Sequence, residues 1–314
     1  MRVAGIRELS GAVGLFEVPD PRPLAEDEVL IAVMAAGVGN WDDIVRSGDW
    51  DVGIGTPMAL GVEAAGVVTE VGANVAEFSV GDEVLCHPLP LRHQGTWAPW
   101  LTAPAATLAL KPTAMTWAAA AALPVPALTA HQVVTESLAL RAGDTVLVHG
   151  AGGVTGGLIV ALSALSGATV IATSGPDKQA RVRSLGATEV FDYHDPTWPD
   201  QARDVASGRG IQAAANAARG GAELAIRAVA GGGRLATITS DPPTPERGIR
   251  VSNVYVRPDG RQLARLAEMF GRGLMSLPVA GSYPLPAAGA ALADVVAGRL
   301  SGAAVLTPND AFVL

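Results

Sequence analysis

Cysteine is almost absent from this chain, since Cys86 is the only one in 314 residues. One cysteine excludes an intrachain disulfide and a structural zinc site made of four cysteines, and it is typical of a protein kept in a reducing compartment. We therefore expect a cytoplasmic protein. Because Cys86 follows two apolar residues in a candidate strand, we interpret it as a small core residue rather than as a nucleophile.

Basic clusters and membrane-spanning runs are missing as well. The net charge is −8 and no basic run is present, so we expect no nucleic-acid partner, because phosphates are held by clustered Lys and Arg. The longest apolar stretch, residues 114–130, contains Pro124 and Pro126 and too few bulky side chains for a membrane span. The N-terminal residues carry no apolar segment, so no signal peptide is expected.

The two parts of the chain differ in the secondary structure that their sequence patterns predict. About the first hundred residues hold short apolar runs punctuated by glycine, at 29–34, 66–72 and 80–85, and these runs predict strands. From residue 116 onward, candidate helices alternate with candidate strands, and the strands are predicted at 145–149, 168–173, 189–193 and 234–238. Such alternation predicts an α/β domain with a parallel sheet.

A glycine-rich turn follows the first strand of this second part. Residues 150–157 read GAGGVTGG between an apolar, β-branched run and an apolar helix. This order places free backbone N–H groups and the positive end of a helix dipole under a pyrophosphate. Thr155 stands where the strict G-x-G-x-x-G pattern has its third glycine. The series of strands and helices that follows favours a dinucleotide site over a purely structural turn.

Four short motifs occur in a characteristic order along the chain. They are GVEAAGVV at 61–68 followed by VG at 71–72, VGDEV at 80–84, AALP at 121–124 with LTA at 128–130, and GGGRL at 231–235. In this order they resemble the medium-chain dehydrogenase/reductase superfamily, and within it the zinc-independent quinone oxidoreductase branch. The resemblance extends nearly from end to end of the chain.

The resemblance implies a fold and an assembly. It implies a GroES-like, β-rich substrate domain formed by residues 1–115 and 275–314, and a Rossmann domain with a doubly wound parallel sheet over 116–274. Family members are often dimers, commonly through the edge strand of the cofactor domain. We therefore expect a homodimer, with residues 251–256 as the candidate edge strand.

The end of the second predicted Rossmann strand indicates the cofactor. An NAD site usually carries Asp or Glu there to bind the ribose hydroxyls, whereas this chain has Ser174 and no carboxylate. The resemblance implies that Ser174, Lys178 and Tyr193 bind NADPH. Asp177 is a nearby carboxylate and so argues against a phosphate at this position, unless it caps a helix or faces solvent. The other predicted cofactor contacts are Thr129, Gly150, Gly153, Val154, Thr155 and Ile238.

No catalytic zinc is expected. The positions that match zinc ligands in zinc-dependent relatives hold Gly39 and Val62, and neither side chain can bind a metal. Glu63 is interpreted as a structural acceptor of hydrogen bonds. The five histidines show no spacing typical of metal sites.

A reductase without zinc must stabilise negative charge on the substrate oxygen with hydrogen-bond donors. The resemblance makes Thr129 the candidate near the nicotinamide. Asn40 and Asp42, on the loop after the strand at 29–34, are the candidates for the substrate wall. Ile44 and Trp50 stand where tyrosines often flank this pocket, so the proton donor stays open and water is one candidate.

The sequence is therefore compatible with three functions. The first is an NADPH-dependent, zinc-free reductase that delivers hydride to a small quinone or α,β-unsaturated carbonyl. The second is an enoyl reductase acting on a carrier-bound substrate in a polyketide-like biosynthetic pathway. The sequence shows no evident basic surface that would bind such a carrier, and this counts mildly against the second function. The third is a non-catalytic NADPH-binding sensor, which the altered pocket keeps open.

Overall fold

The computed structural model describes residues 1–21, 23–206 and 210–308. Its strands, in chain order, are β1 (Arg2–Ile6), β2 (Gly14–Glu17), β3 (Glu28–Val38), β4 (Met58–Ala59), β5 (Ala64–Val71), β6 (Glu83–Cys86), β7 (Trp100–Pro104), β8 (Leu108–Leu110), β9 (Thr145–His149), β10 (Thr169–Ser174), β11 (Ala187–Asp192), β12 (Ile211–Asn216), β13 (Val229–Thr237), β14 (Arg250–Asn253), β15 (Val279–Pro284) and β16 (Ala303–Thr307). The α-helices are α1 (Asn40–Ser47), α2 (Trp117–Ala121), α3 (Pro124–Gln132), α4 (Val154–Leu165), α5 (Gln179–Ser184), α6 (Trp198–Val205), α7 (Ala222–Ala228), α8 (Gly260–Gly271) and α9 (Ala288–Val296).

The chain divides into two compact units. One comprises Met1–Val125, Arg257–Gly273 and the C-terminal segment from Leu277, and the other comprises Pro126–Val256 with Leu274–Ser276. The sequence instead placed the boundaries at 115/116 and 274/275, which would assign α2 and α8 to the Rossmann domain. The last six residues of the predicted substrate domain, 309–314, lie outside the described residues.

Helix α8 belongs to the first unit because its N-terminus packs closely against the chain leading into β8. A Cβ atom at Gly260 would collide with the carbonyl oxygen of Leu108 and lie 2.6 Å from that of Ala106. Only glycine permits this approach. The sequence gives no sign of such a contact, since the two segments lie about 150 residues apart.

The second unit contains a six-stranded, entirely parallel sheet in the order β11-β10-β9-β12-β13-β14. This is the strand order of a doubly wound dinucleotide-binding fold, in which the order reverses between β9 and β12. The β-branched and apolar residues of β9 and β10 are buried because helices cover parallel sheets on both faces. The predicted Rossmann sheet is confirmed, and α4 begins at Val154, four residues before the predicted apolar run.

The first unit contains two sheets that are mostly antiparallel. One has the order β2-β1-β4, and the other has the order β15-β16-β3-β5-β6-β8, with β7 also paired to β3. Cys86 is buried in β6, as expected of a core residue, and burial raises the pKa of its thiol to about 12. The predicted β-rich unit is confirmed.

One strand prediction in this unit was partly wrong. Strand β6 begins at Glu83 rather than at Val80, which is 66% exposed. The reason is a turn: the backbone N–H of Ser79 donates to the Asp82 carboxylate at 2.8 Å, and Gly81 adopts a φ of 97°. A local side-chain bond of this kind competes with extension of the strand.

Candidate dinucleotide-binding site

The glycine turn after β9 requires glycine at two positions for steric reasons. Gly150 has a φ of 84°, and a Cβ atom there would lie 2.8 Å from the carbonyl carbon of Ala217. A Cβ atom on Gly156 would collide with the carbonyl oxygen of Gly150. The first turn of α4 therefore lies directly on the loop that precedes it, which is the close approach that a dinucleotide turn needs.

Thr173, at the end of β10, holds the glycine turn against β10 by hydrogen bonds. Its hydroxyl oxygen accepts a hydrogen bond from the backbone N–H of Gly150 at 3.2 Å and lies 2.6 Å from His149 Nδ1. Its carbonyl oxygen accepts from the backbone N–H of Ala151 at 3.0 Å. Sequence reasoning missed this residue, because a threonine in a strand carries no signal for a contact 23 residues away.

The N-terminus of α4 is open to an anion. Gly153 is its N-cap and makes no side-chain cap, and Val154 and Thr155 form the first turn. The N–H groups of the first turn of a helix have no partner within the helix, and they carry the positive end of its dipole. These residues fit a phosphate group, as the sequence predicted for this turn.

The predicted cofactor residues beyond β10 come together around two glycines. The Cβ position of Gly152 lies 3.0 Å from Lys178 Cδ and 3.4 Å from Ser174 Cβ, and that of Gly175 lies 3.6 Å from Tyr193 Cε1. Ser174 and Lys178 thus lie beside the glycine turn, and Tyr193 lies beside Gly175, the residue that follows Ser174. Their functional role stays a prediction, although a cation, a serine hydroxyl and a half-exposed phenol suit a ribose phosphate.

The charges at this position favour a phosphate over a free ribose. Within the described ranges, no carboxylate pairs with Lys178. Asp177 is exposed in a 3-10 turn, and its Oδ1 lies 2.9 Å from the Cβ position of Gly175. The Asp177 carboxylate is therefore near the site, but it does not pair with Lys178.

The remaining two predicted contacts in this unit lie on α3 and after β13. Thr129 is 7% exposed on α3, and Ile238 donates its backbone N–H to the carbonyl oxygen of Asn216 at 3.1 Å. The carboxamide of Asn216 in turn donates to Thr239 Oγ1 at 2.9 Å and to Asp241 Oδ1 at 3.2 Å. This polar network at the carboxyl ends of β12 and β13 was not predicted, because its members carry no motif.

The two substrate-wall candidates differ sharply in exposure. Asn40 is exposed at the start of α1, whereas Asp42 is fully buried. Asp42 Oδ2 accepts from the backbone N–H of Gly39 at 2.8 Å. Burial is the main reason that the pKa of Asp42 rises to about 8. This hydrogen bond favours a structural role for Asp42 as the cap of α1, and a direct role in chemistry stays a prediction.

We expect Asp42→Asn to change how stability depends on pH. A carboxyl whose pKa is raised on folding stabilises the folded state fully below pH 3.8, and this contribution is lost as the pH rises to about 8. The asparagine cannot titrate. Its free energy of unfolding relative to the wild type should therefore improve over this range by up to about 1.4 kcal/mol per pH unit. Urea titrations of both proteins at pH 5 and pH 8 measure the difference in their free energies of unfolding. A difference that is the same at both pH values would contradict a neutral Asp42 carboxyl in the folded protein.

The residues that could bind zinc in this fold do not fit the metal. A Cβ atom at Gly39 would collide with the Trp41 indole, and Val62 is fully buried and apolar. Glu63 Oε2 accepts from the backbone N–H of Val125 at 2.8 Å, and burial raises the pKa of this carboxyl well above its usual value. Among the described residues, no group of three metal-binding side chains is present.

Two family models match the chain. The "Alcohol dehydrogenase GroES-like domain" matches residues 25–113, and the "Zinc-binding dehydrogenase" matches residues 185–306. Together they cover about two-thirds of the sequence. The first match lies within the β-rich unit, and the second begins near the end of α5.

Similar solved structures cover almost the whole chain. An NAD-dependent alcohol dehydrogenase is 29% identical with a TM-score of 0.88, covering 98% of this chain and 100% of its own. A mycobacterial protein in complex with NADPH is 27% identical with a TM-score of 0.85 and covers 98% and 100%. A mycobacterial quinone oxidoreductase is 28% identical with a TM-score of 0.80 and covers 98% and 99%.

The fold and the matches define an oxidoreductase with a GroES-like unit and a Rossmann unit. The chain belongs to the medium-chain dehydrogenase/reductase superfamily, as its motifs predicted. Within the described part of the chain, no helix combines the length and apolarity needed to cross a bilayer.

Curated relatives at higher identity are much longer proteins. Erythronolide synthase EryA2 of Saccharopolyspora erythraea is 36% identical over 67% of this chain, which spans 6% of that protein. A mycocerosic acid synthase-like polyketide synthase of Mycobacterium tuberculosis is 32% identical over 71% of this chain, which spans 10% of it. The chain thus corresponds to a small part of these relatives.

Proposed function

We propose that this oxidoreductase uses NADPH to reduce a small quinone or an α,β-unsaturated carbonyl compound. The observation that carries the proposal is the position of Ser174 and Lys178 beside the glycine turn and of Tyr193 beside Gly175, with no carboxylate paired to the lysine in the described ranges. The mycobacterial neighbour solved with NADPH supports the same cofactor. A cytoplasmic location fits a cofactor of this kind and remains part of the proposal.

The chain's own residues would divide the work of binding and catalysis. Bound NADPH would supply the hydride. The backbone of Gly153, Val154 and Thr155 would hold the pyrophosphate, and Lys178 with its neighbours would hold the 2′-phosphate. Reduction of a carbonyl-conjugated bond places negative charge on the substrate oxygen, which a hydrogen-bond donor such as Thr129 would stabilise. Water would supply the proton if no side chain does.

A second candidate is reduction of an enoyl group in polyketide-like biosynthesis. It is favoured by the identity of 36% and 32% to two polyketide synthases, which exceeds the identity to any of the solved structures described above. The cofactor and the reacting bond would be the same, so the two proposals differ in the substrate attached to the carbonyl group. A non-catalytic NADPH-binding sensor is the third candidate.

We also propose a homodimer. Strand β14, which overlaps the predicted edge strand at 251–256, is the last strand of the parallel sheet and is paired on one side to β13. An open strand edge is a template for pairing with a second copy. Tyr255, which lies within residues 251–256 and two residues after the end of β14, is 57% exposed.

Two measurements test the proposed function. Fluorescence titration with NADPH and NADH should show preference for NADPH, and NADPH oxidation should follow addition of 1,4-benzoquinone, 9,10-phenanthrenequinone or a simple enone. Turnover of an enoyl thioester but not of quinones would support the second candidate. Selective binding without any turnover would favour the sensor, and binding of neither cofactor would overturn all three.

A further inference from the structure

Arg181 places an unbalanced cation beside the glycine turn. Its Nη1 donates to the carbonyl oxygen of Gly152 at 3.3 Å, and its Nη2 is buried without a hydrogen-bond partner in the described part of the chain. Burial alone lowers the pKa of the guanidinium, and no charged residue contributes to that shift. The group keeps its proton at neutral pH, because guanidinium groups are not deprotonated in proteins. Arg181 is half-buried, and a cation whose buried Nη2 is left without a partner indicates that its counter-charge comes from a ligand.

Gly157 makes room for this guanidinium. A Cβ atom on Gly157 would lie 2.9 Å from Arg181 Nη2 and 3.1 Å from Leu185 Cδ1. Gly157 lies within α4, where glycine is less stable than alanine. The chain thus keeps a residue that weakens the helix at the position against which the guanidinium packs.

A second cation lies against the same peptide unit. Lys178 Cδ is 3.0 Å from the Cβ position of Gly152, so Lys178 and Arg181 contact Gly152 at its Cα and at its carbonyl oxygen, respectively. The positive N-terminus of α4 begins one residue further on, after the cap Gly153. Two like charges and a helix dipole repel one another unless a multiply charged anion lies between or near them.

We propose that Arg181 is a specificity-determining and positioning residue that, together with Lys178, selects the 2′-phosphate of NADPH as a dianion. Its charge adds to that of Lys178, and its bond to the Gly152 carbonyl fixes the peptide between them. A phosphate monoester gains its second charge near pH 6. This inference rests on the proposed use of NADPH, and it adds a residue that neither Ser174 nor Tyr193 can replace, since both are neutral.

The test compares Arg181→Gln and Arg181→Lys with Arg183→Gln, which removes the same charge from the same helix. Dissociation constants for NADPH and NADH are measured by fluorescence titration at pH 5.5 and pH 7.5. We expect Arg181→Gln to weaken NADPH binding about tenfold or more at pH 7.5, and by less at pH 5.5, because a charge-assisted contact to a dianion is lost. NADH binding should stay within about twofold, Arg181→Lys should restore most of the affinity, and Arg183→Gln should change little.

A second variant tests the inference independently of the first. Gly157→Ala should favour the helix by its intrinsic propensity, yet it should displace the guanidinium and lower the preference for NADPH. Combining it with Arg181→Gln should add little further loss. Gly157→Ala and Arg181→Lys decide the matter even if Arg181→Gln does not fold.

The outcomes separate the inference from the proposed function. Equal losses for NADPH and NADH, with no dependence on pH, would assign Arg181 a purely structural role and overturn the inference. Wild-type preference for NADPH would still stand in that case. A wild-type protein that binds neither cofactor would instead overturn the proposed function itself.

Discussion

Lys178→Ala should weaken NADPH binding by about 1–3 kcal/mol, roughly 5- to 150-fold, and should leave NADH binding nearly unchanged. The reason is the position of Lys178 beside Gly152 and Ser174, where no carboxylate pairs with it in the described part of the chain. The proposed contact of Lys178 would form only with the 2′-phosphate, which NADH lacks. Paired fluorescence titrations with NADPH and NADH measure the effect.

Two control variants sharpen this result. Lys178→Arg keeps the charge and should retain most of the affinity for NADPH. Arg183→Ala removes one charge from the same region of the protein, but its guanidinium is turned to Gln179 Oε1 and the Val190 carbonyl oxygen. It should have little effect on either cofactor. Equal weakening of NADPH and NADH by Lys178→Ala would show that the lysine does not read the 2′-phosphate.

Gly156→Ala should abolish binding of either cofactor, with affinity falling by more than about 100-fold. Alanine favours a helix interior by about 0.5–1 kcal/mol over glycine. At this position, however, the added methyl group collides with the carbonyl oxygen of Gly150 and lies 2.9 Å from its carbonyl carbon. Since backbone must move to accommodate it, we expect a net loss of stability of about 1–3 kcal/mol, measured by urea unfolding.

Gly153→Ala is the matched control for this prediction. Gly153 has a φ of −77° and a ψ of 173°, which alanine adopts without strain, and the nearest atom to its Cβ position is the Gly150 carbonyl oxygen at 3.5 Å. This variant should keep the wild-type free energy of unfolding. If Gly156→Ala were equally stable and still bound NADPH, the close approach of α4 to the turn would not be needed for the site.

Local pattern predicted most of the Rossmann unit. The alternation of apolar strands with helices gave β9, β10 and β11 to within two residues, and for β9 and β10 the reason is that a buried parallel strand needs a continuous apolar run. The predicted strand at 80–85 started too early, because the turn at Ser79 and Asp82 depends on a hydrogen bond rather than on hydropathy. Helix α8 packs against the chain before β8, a contact that the local pattern does not predict.

The residues of the candidate site were likewise predicted only in part from the sequence. The glycine turn, Ser174, Lys178 and Tyr193 could be named from motifs and from the resemblance. Asp42 was named as a catalytic candidate, yet it is buried and bonded to the backbone of Gly39, which local sequence does not reveal.

The sequence by itself determined the order of elements, the glycine turn and the superfamily, because each depends on residues that are neighbours along the chain. Only the tertiary structure brought Thr173 to Gly150 and Arg181 to Gly152 and Gly157, since these pairs are 23 to 29 residues apart and meet through the packing of adjacent strands and helices. Burial, too, is a property of the folded chain. The raised pKa of Asp42 and the lowered pKa of Arg181 arise from removal of these groups from water, which no local pattern encodes.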